Sequence, residues 1–77
     1  MKSLNDLIRS VVEQVGDPLL QHIIDACLQF DEVLVRQQVI IMVKRGELRM
    51  KGDDVDHAWT YRKGRNWEAY APSMTKG

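Results

Sequence analysis

Cysteine and histidine are scarce in this sequence, which contains one cysteine, Cys27, and two histidines, His22 and His57. A single cysteine cannot form an internal disulfide bond. The positions of these three residues match none of the spacings at which cysteine and histidine bind zinc. We therefore expect a domain that carries neither a disulfide nor a metal site.

The sequence also lacks a long apolar segment. Its longest uninterrupted apolar run is residues 39–43, whereas a membrane-spanning helix needs about 20 such residues. Asp6 and Arg9 interrupt the beginning of the chain too early for a secretory signal peptide. These absences lead us to expect a cytosolic protein that makes no membrane contact.

The residue patterns of common catalytic sites are missing as well. There is no glycine-rich phosphate loop, no serine, histidine and acid in a catalytic order, and no pair of carboxylates at an evident cleft. Cys27 lies among apolar residues, which is typical of an inert buried thiol. A chain of 77 residues has about 4–12 kcal/mol of stability in total, which leaves little for a deep substrate cavity. We expect no enzymatic activity and no cofactor.

The charges balance overall but are distributed unevenly. The chain has 11 basic and 11 acidic residues, so its formal net charge is zero. Residues 1–35 carry two bases and six acids, and residues 36–77 carry nine bases and five acids, which gives −4 and +4. Because local potential decides where phosphate can bind, this asymmetry permits a nucleic-acid surface on the second half.

Apolar residues recur at helical spacing in three consecutive segments. Ser3 and Gly16 bound the first predicted helix, Asp17 and Pro18 begin a second that continues to about residue 29, and Asp31 caps a third that stops at Gly46. In the third helix one arc is predicted to face the core, and it contains Val35, Val39, Met42, Val43 and Gly46.

From residue 47 the apolar period changes from helical spacing to alternation. Leu48 and Met50 alternate with basic residues, residues 52–56 are rich in glycine and aspartate, and alternation resumes at His57, which predicts a β-hairpin. We expect Trp59 and Tyr61 to cover the helices, although their rings could also stack on bases. The predicted fold class is α+β, mostly α: residues 1–70 form one domain of three helices followed by a β-hairpin, and residues 71–77 form a flexible tail.

The apolar spacing and the caps from residue 24 to residue 48 resemble a winged helix-turn-helix domain. In that resemblance Phe30 is the buried turn residue, Asp31 caps a recognition helix over residues 31–45, and Gly46 with Leu48 leads into the hairpin, which is the wing. The resemblance covers roughly residues 4–63. It implies a recognition helix that lies in the major groove of duplex DNA.

The outer face of the predicted recognition helix supplies the candidate DNA contacts. Four residues are expected to contact base edges: Arg36, Gln37, Gln38 and Ile40. Arginine can hydrogen-bond guanine, glutamine can hydrogen-bond adenine, and isoleucine can contact the thymine methyl group. We expect four basic residues to contact phosphate: Lys44, Arg45, Arg49 and Lys51. Arg62, Lys63 and Arg65, in the stem of the hairpin, could also lie near the DNA backbone. The acidic tip of the wing, Asp53, Asp54 and Asp56, would be repelled by DNA, so we expect it to make no contact.

Leu34 and Ile41 lie together outside the predicted core arc, which suggests that another surface covers them. That surface is either another part of this chain or a partner, and Trp67 and Tyr70 are further candidates for the same kind of contact. We expect a homodimer that reads two DNA half-sites. The expected function is sequence-specific binding of double-stranded DNA by a small bacterial, plasmid or phage transcriptional regulator. The alternative is a protein-interaction module of the same fold, an inhibitor or adaptor that does not bind DNA.

Overall fold

The computed structural model describes residues 3–53 and 58–71 of the chain. Three α-helices come first, α1 (Leu4–Val15), α2 (Leu20–Ala26) and α3 (Glu32–Lys44). Two antiparallel strands follow, β1 (Leu48–Asp53) and β2 (Ala58–Lys63), and then a 3₁₀ helix, Glu68–Tyr70. The predicted fold class, mostly α with a β-hairpin after three helices, is confirmed. The predicted hairpin tip and tail fall largely on residues 54–57 and 72–77, outside the described part of the chain.

Helix α1 has the boundaries that its capping residues predict. The Ser3 hydroxyl oxygen accepts a hydrogen bond from the Asp6 N–H at 3.2 Å, which satisfies one of the free donors of the first turn. Gly16 ends the helix with a φ of 95° and donates its N–H to the Val12 carbonyl at 3.0 Å. Ile8 and Val12 are buried, so the apolar face of α1 contributes to the core.

Helix α2 is shorter at both ends than predicted. It begins at Leu20 because Leu19 is extended and, with Pro18, pairs with the hairpin. The Tyr61 N–H donates to the Pro18 carbonyl at 2.9 Å, and Leu19 forms an antiparallel bridge with Thr60. The predicted start at Asp17 and Pro18 is therefore wrong, since a pairing with distant residues replaces the expected first helical turn.

Helix α3 begins and ends where the sequence predicts. The Asp31 carboxylate accepts from the Val33 N–H at 3.1 Å, and Gly46, with a φ of 82°, allows the chain to reverse after the helix. Val35, Val39 and Met42 are almost completely buried. This side of α3 packs against α1, α2 and β1, so the opposite side faces outward.

The helices cover only the base of the hairpin. Leu48 and Tyr61 are buried, whereas Met50 and Trp59, nearer the tip, are 44% and 49% exposed. Trp59 was expected in the core, and this expectation is wrong. Its ring lies across Gly52, its cross-strand neighbour, where an added Cβ atom would come within 2.2 Å of the ring. The tryptophan thus covers a strand position that has no side chain of its own.

Candidate nucleic-acid interface

The outward side of α3 carries the residues that were predicted to read DNA bases. Gln37 is exposed and Ile40 is 53% exposed, whereas Gln38 is partly buried and donates to the Asn5 side-chain oxygen at 2.8 Å. Arg36 is exposed and donates to Glu32 at 2.9 Å, one helical turn away. Gln37 and Ile40 are therefore directly accessible, and Gln38 is held by α1.

The predicted phosphate contacts separate into free and paired cations. Lys44, Arg49 and Lys51 are exposed, as is Arg65, and none of these four forms an ion pair with the described side chains, those of residues 3–52 and 59–71. Arg62 donates to Asp17 at 2.8 and 3.1 Å, and Lys63 pairs with Glu13. The hydrogen bond from Arg62 holds the pKa of Asp17 below its ordinary value. As far as the described side chains go, these four cations are the ones available to an anionic ligand without loss of an ion pair.

Arg45, a predicted phosphate contact, makes hydrogen bonds inside the protein. Its guanidinium donates through Nε to Glu47 at 2.8 Å and through Nη2 to both Glu47 and the Asn5 side-chain oxygen. Arg45 is partly buried and turned into the protein by these bonds. A contact between Arg45 and DNA phosphate stays a prediction, and it would compete with the hydrogen bonds from Arg45 to the buried Glu47 carboxylate.

Glu47 is the centre of a buried polar cluster that sequence reasoning missed. The residue is completely buried, and its carboxylate also accepts from Arg9 at 2.6 Å and from Asn5 at 3.1 Å. Burial raises the pKa of Glu47, but the hydrogen bonds from Arg9, Arg45 and Asn5 outweigh burial and hold the pKa below its ordinary value. The weak signal in the sequence is that Asn5 and Arg9, one turn apart, flank the apolar face of α1.

The segment after β2 packs on the two arginines of this cluster. The Arg9 guanidinium lies 3.7 Å from the Trp67 ring centroid, and that of Arg45 lies 4.3 Å from the Tyr70 ring centroid. Trp67 is 8% exposed, so its expected role in a partner contact is corrected: its ring belongs to the core of the monomer. Tyr70 keeps 40% of its surface exposed.

The predicted apolar contact residues of α3 remain accessible. Leu34 is 51% and Ile41 is 48% exposed, so neither α1 nor the segment after β2 covers them fully. Val33 and Ile40, on the other side of the helix's outward face, are 56% and 53% exposed. The outward side of α3 therefore has two apolar edges, with the polar residues Gln37 and Lys44 between them.

A groove runs between α3 and the hairpin. One part of about 190 Å³ and another of about 690 Å³ are both lined by Val43 and Met50, so they adjoin. We call their combined lining the α3–hairpin groove; its residues are Val39, Ile40, Val43, Lys44, Gly46, Leu48, Arg49, Met50, Tyr61, Lys63, Gly64 and Arg65.

In residues 3–53 and 58–71 no cluster of three or more histidine, cysteine or acidic side chains could hold a metal ion. No helix in the same residues is long and apolar enough to cross a membrane. Burial raises the pKa of the Cys27 thiol.

Comparison with protein-family models, curated proteins and solved structures finds no match to this chain.

Proposed function

We propose that this chain is a winged helix-turn-helix domain that binds duplex DNA through α3 and acts in the cytosol as a small transcriptional regulator. The arrangement of elements supports the proposal. A short turn joins α2 to α3, the hairpin follows α3 directly, and residues 17–19 pair with the hairpin from its other side. An exposed helix beside a two-stranded hairpin matches the way such domains present one element to the major groove and another to its edge.

The observation that carries the proposal is a row of exposed side chains along α3, followed by exposed basic side chains on β1. Gln37, Ile40 and Lys44 are spaced three and four residues apart and are all exposed. Glutamine can bond both polar atoms of an adenine edge, isoleucine can contact a thymine methyl group, and Lys44 can contact phosphate. Arg49 and Lys51, both exposed, add two cations on the next element.

Two alanine variants test the assigned surface. We expect Lys44→Ala to weaken DNA binding for all sequences and to reduce the salt slope of log affinity by about 0.9, because one phosphate contact is lost. We expect Gln37→Ala to cost about 1–3 kcal/mol at a preferred site and to relax the sequence preference. Fluorescence anisotropy with labelled duplexes at about 50 and 200 mM salt measures both effects.

Gln14→Ala is the matched control, because Gln14 is an exposed glutamine on α1, away from the assigned surface. All three substitutions are at exposed positions, so their melting temperatures should stay close to that of the parent. The proposal fails if the parent does not bind DNA at the lower salt concentration. It also fails if Lys44→Ala and Gln37→Ala both bind like Gln14→Ala.

A second candidate function is a protein contact through α3, favoured by the half-exposed aliphatic side chains on its outward side. Leu34 and Ile41 are seven residues apart, so they lie on one edge of the helix and could meet the same edge of a second copy. Such a homodimer would also be compatible with reading paired half-sites.

Sedimentation tests this dimer. We expect the parent to sediment above the 8.9 kDa of one chain, and Leu34→Glu to raise the dissociation constant at least about tenfold, because an unpaired carboxylate would be buried in the contact. Val15→Glu is the control, since Val15 is equally exposed at the end of α1. A parent that stays monomeric with and without DNA contradicts the dimer.

A further inference from the structure

The floor of the α3–hairpin groove is apolar although the groove is open to solvent. Val43 and Met50 line both of its parts, and Tyr61 lines the smaller one. Ile40 and Met50 are 53% and 44% exposed, so apolar surface that could be buried remains in contact with water. An occupant with an apolar body would remove this surface from water, which is favourable at about 25 cal/mol per Å².

The walls of the same groove are cationic. Lys44 stands on the α3 side, and Arg49, Lys63 and Arg65 stand on the hairpin side. Lys63 pairs with Glu13, but Lys44, Arg49 and Arg65 form no ion pair within the described ranges. Among the described residues, no acidic side chain lines either part of the groove. The charged side chains that line the groove are therefore basic, and one of them, Lys63, is neutralised by Glu13.

We propose that the α3–hairpin groove binds a small amphipathic organic anion, a molecule with an apolar body and a carboxylate or sulfonate group. The apolar body lies on Met50, Val43 and Tyr61, and the anionic group lies between the cationic walls. The larger part, at about 690 Å³, is within the 300–1,000 Å³ range of small-molecule sites. A strongly hydrated phosphate would engage the cations but would leave the apolar floor exposed. This inference goes beyond DNA binding and does not depend on it.

The probe for the test is 1-anilinonaphthalene-8-sulfonate, whose fluorescence increases when its rings leave water. We expect the parent protein to bind it, and to bind the uncharged analogue N-phenyl-1-naphthylamine more weakly. Met50→Glu should weaken binding of the sulfonate more than about tenfold, because it puts a carboxylate on the floor. Lys44→Gln and Arg65→Gln should each weaken it about two- to fivefold, as expected for exposed charge pairs.

Two matched controls separate the groove from other surfaces. Val15→Glu changes an exposed aliphatic residue on α1, and Lys51→Gln removes an exposed cation of the hairpin that is not among the residues of the groove. Both should bind the probe like the parent. Lys51→Gln also separates the two proposals, since it should lower DNA affinity while leaving probe binding unchanged.

Changes in amide chemical shifts of the parent protein on addition of the probe locate the binding site directly. This measurement needs no variant, so it does not depend on whether a variant folds. Shifts concentrated at Val43, Met50 and Tyr61 support the proposal even if Met50→Glu fails to fold. The proposal is overturned if the parent does not bind the probe, if the shifts lie along Leu34 and Ile41 instead, or if a folded Met50→Glu binds like Val15→Glu.

Discussion

Replacing Glu47 by alanine is expected to lower the free energy of unfolding by about 3–5 kcal/mol, a large share of what a domain of this size has. Glu47 is completely buried and accepts hydrogen bonds from both Arg9 and Arg45. Removal of its carboxylate leaves the guanidinium of Arg9, which is 8% exposed, without a counter-charge in a low-dielectric site. The penalty comes from that uncompensated charge more than from the lost attraction.

Glu32→Ala is the control for this prediction. Glu32 also pairs with an arginine, but both side chains of that pair are about half exposed. Its removal should cost at most about 0.5 kcal/mol, as for other exposed pairs one helical turn apart. Urea unfolding of the parent and the two variants gives the comparison. A Glu47→Ala variant as stable as Glu32→Ala would show that the buried cluster contributes no stability.

The pH dependence of unfolding provides a second measurement on the same variant. The pKa of Glu47 is lower in the folded protein than its ordinary value of 4.5. Its contribution is therefore complete well above pH 4.5 and is lost as the pH falls below that value toward the lower folded-state pKa. The stability difference between the parent and Glu47→Ala should shrink over this range. Asp17, whose pKa is also lowered, is present in both proteins and does not contribute to the difference.

The elements that the sequence predicted well are those specified by nearby residues. Ser3 and Gly16 bound α1, and Asp31 and Gly46 bound α3, through hydrogen bonds that span only a few positions. The start of α2 could not be predicted in the same way. Asp17 and Pro18 form a good local signal for a helix start, but contacts with β2, more than 40 residues later, keep these two residues out of the helix.

The candidate DNA surface was predictable to the extent that helical periodicity decides exposure. Gln37, Ile40 and Lys44 point outward as the predicted core arc requires. Arg45 was assigned to an outer contact because it flanks the outward face of the predicted helix, and Trp67 because its short segment was expected to have little core to fill. Their actual partners are Glu47, which follows α3, and Arg9 on α1. A buried charge depends on counter-charges from several elements that are distant in the sequence. No pattern of neighbouring residues predicts which of them come together.

Gly64→Ala is expected to destabilise the domain by about 1–3 kcal/mol or more, because the added methyl group would collide with backbone. An added Cβ at Gly64 would lie 2.2 Å from the Gly46 carbonyl oxygen and 2.9 Å from the Leu48 carbonyl carbon. Hydrogen bonds join the two segments that cross here. The Gly64 N–H donates to the Glu47 carbonyl at 3.0 Å, and the Asn66 N–H donates to the Gly46 carbonyl at 2.8 Å. Neither backbone can move away without loss of these bonds.

Gly52→Ala provides the comparison that makes this prediction specific. An added Cβ at Gly52 would also come within 2.2 Å of another atom, but that atom belongs to the side chain of Trp59. Trp59 is 49% exposed and can swing into solvent, so Gly52→Ala should cost less than Gly64→Ala in urea unfolding. The Gly64 crossing also leads the chain to Trp67, which covers Arg9. Gly64→Ala should therefore reduce the burial of Trp67 and red-shift tryptophan emission, whereas equal stabilities for the two variants would show that the crossing tolerates a side chain.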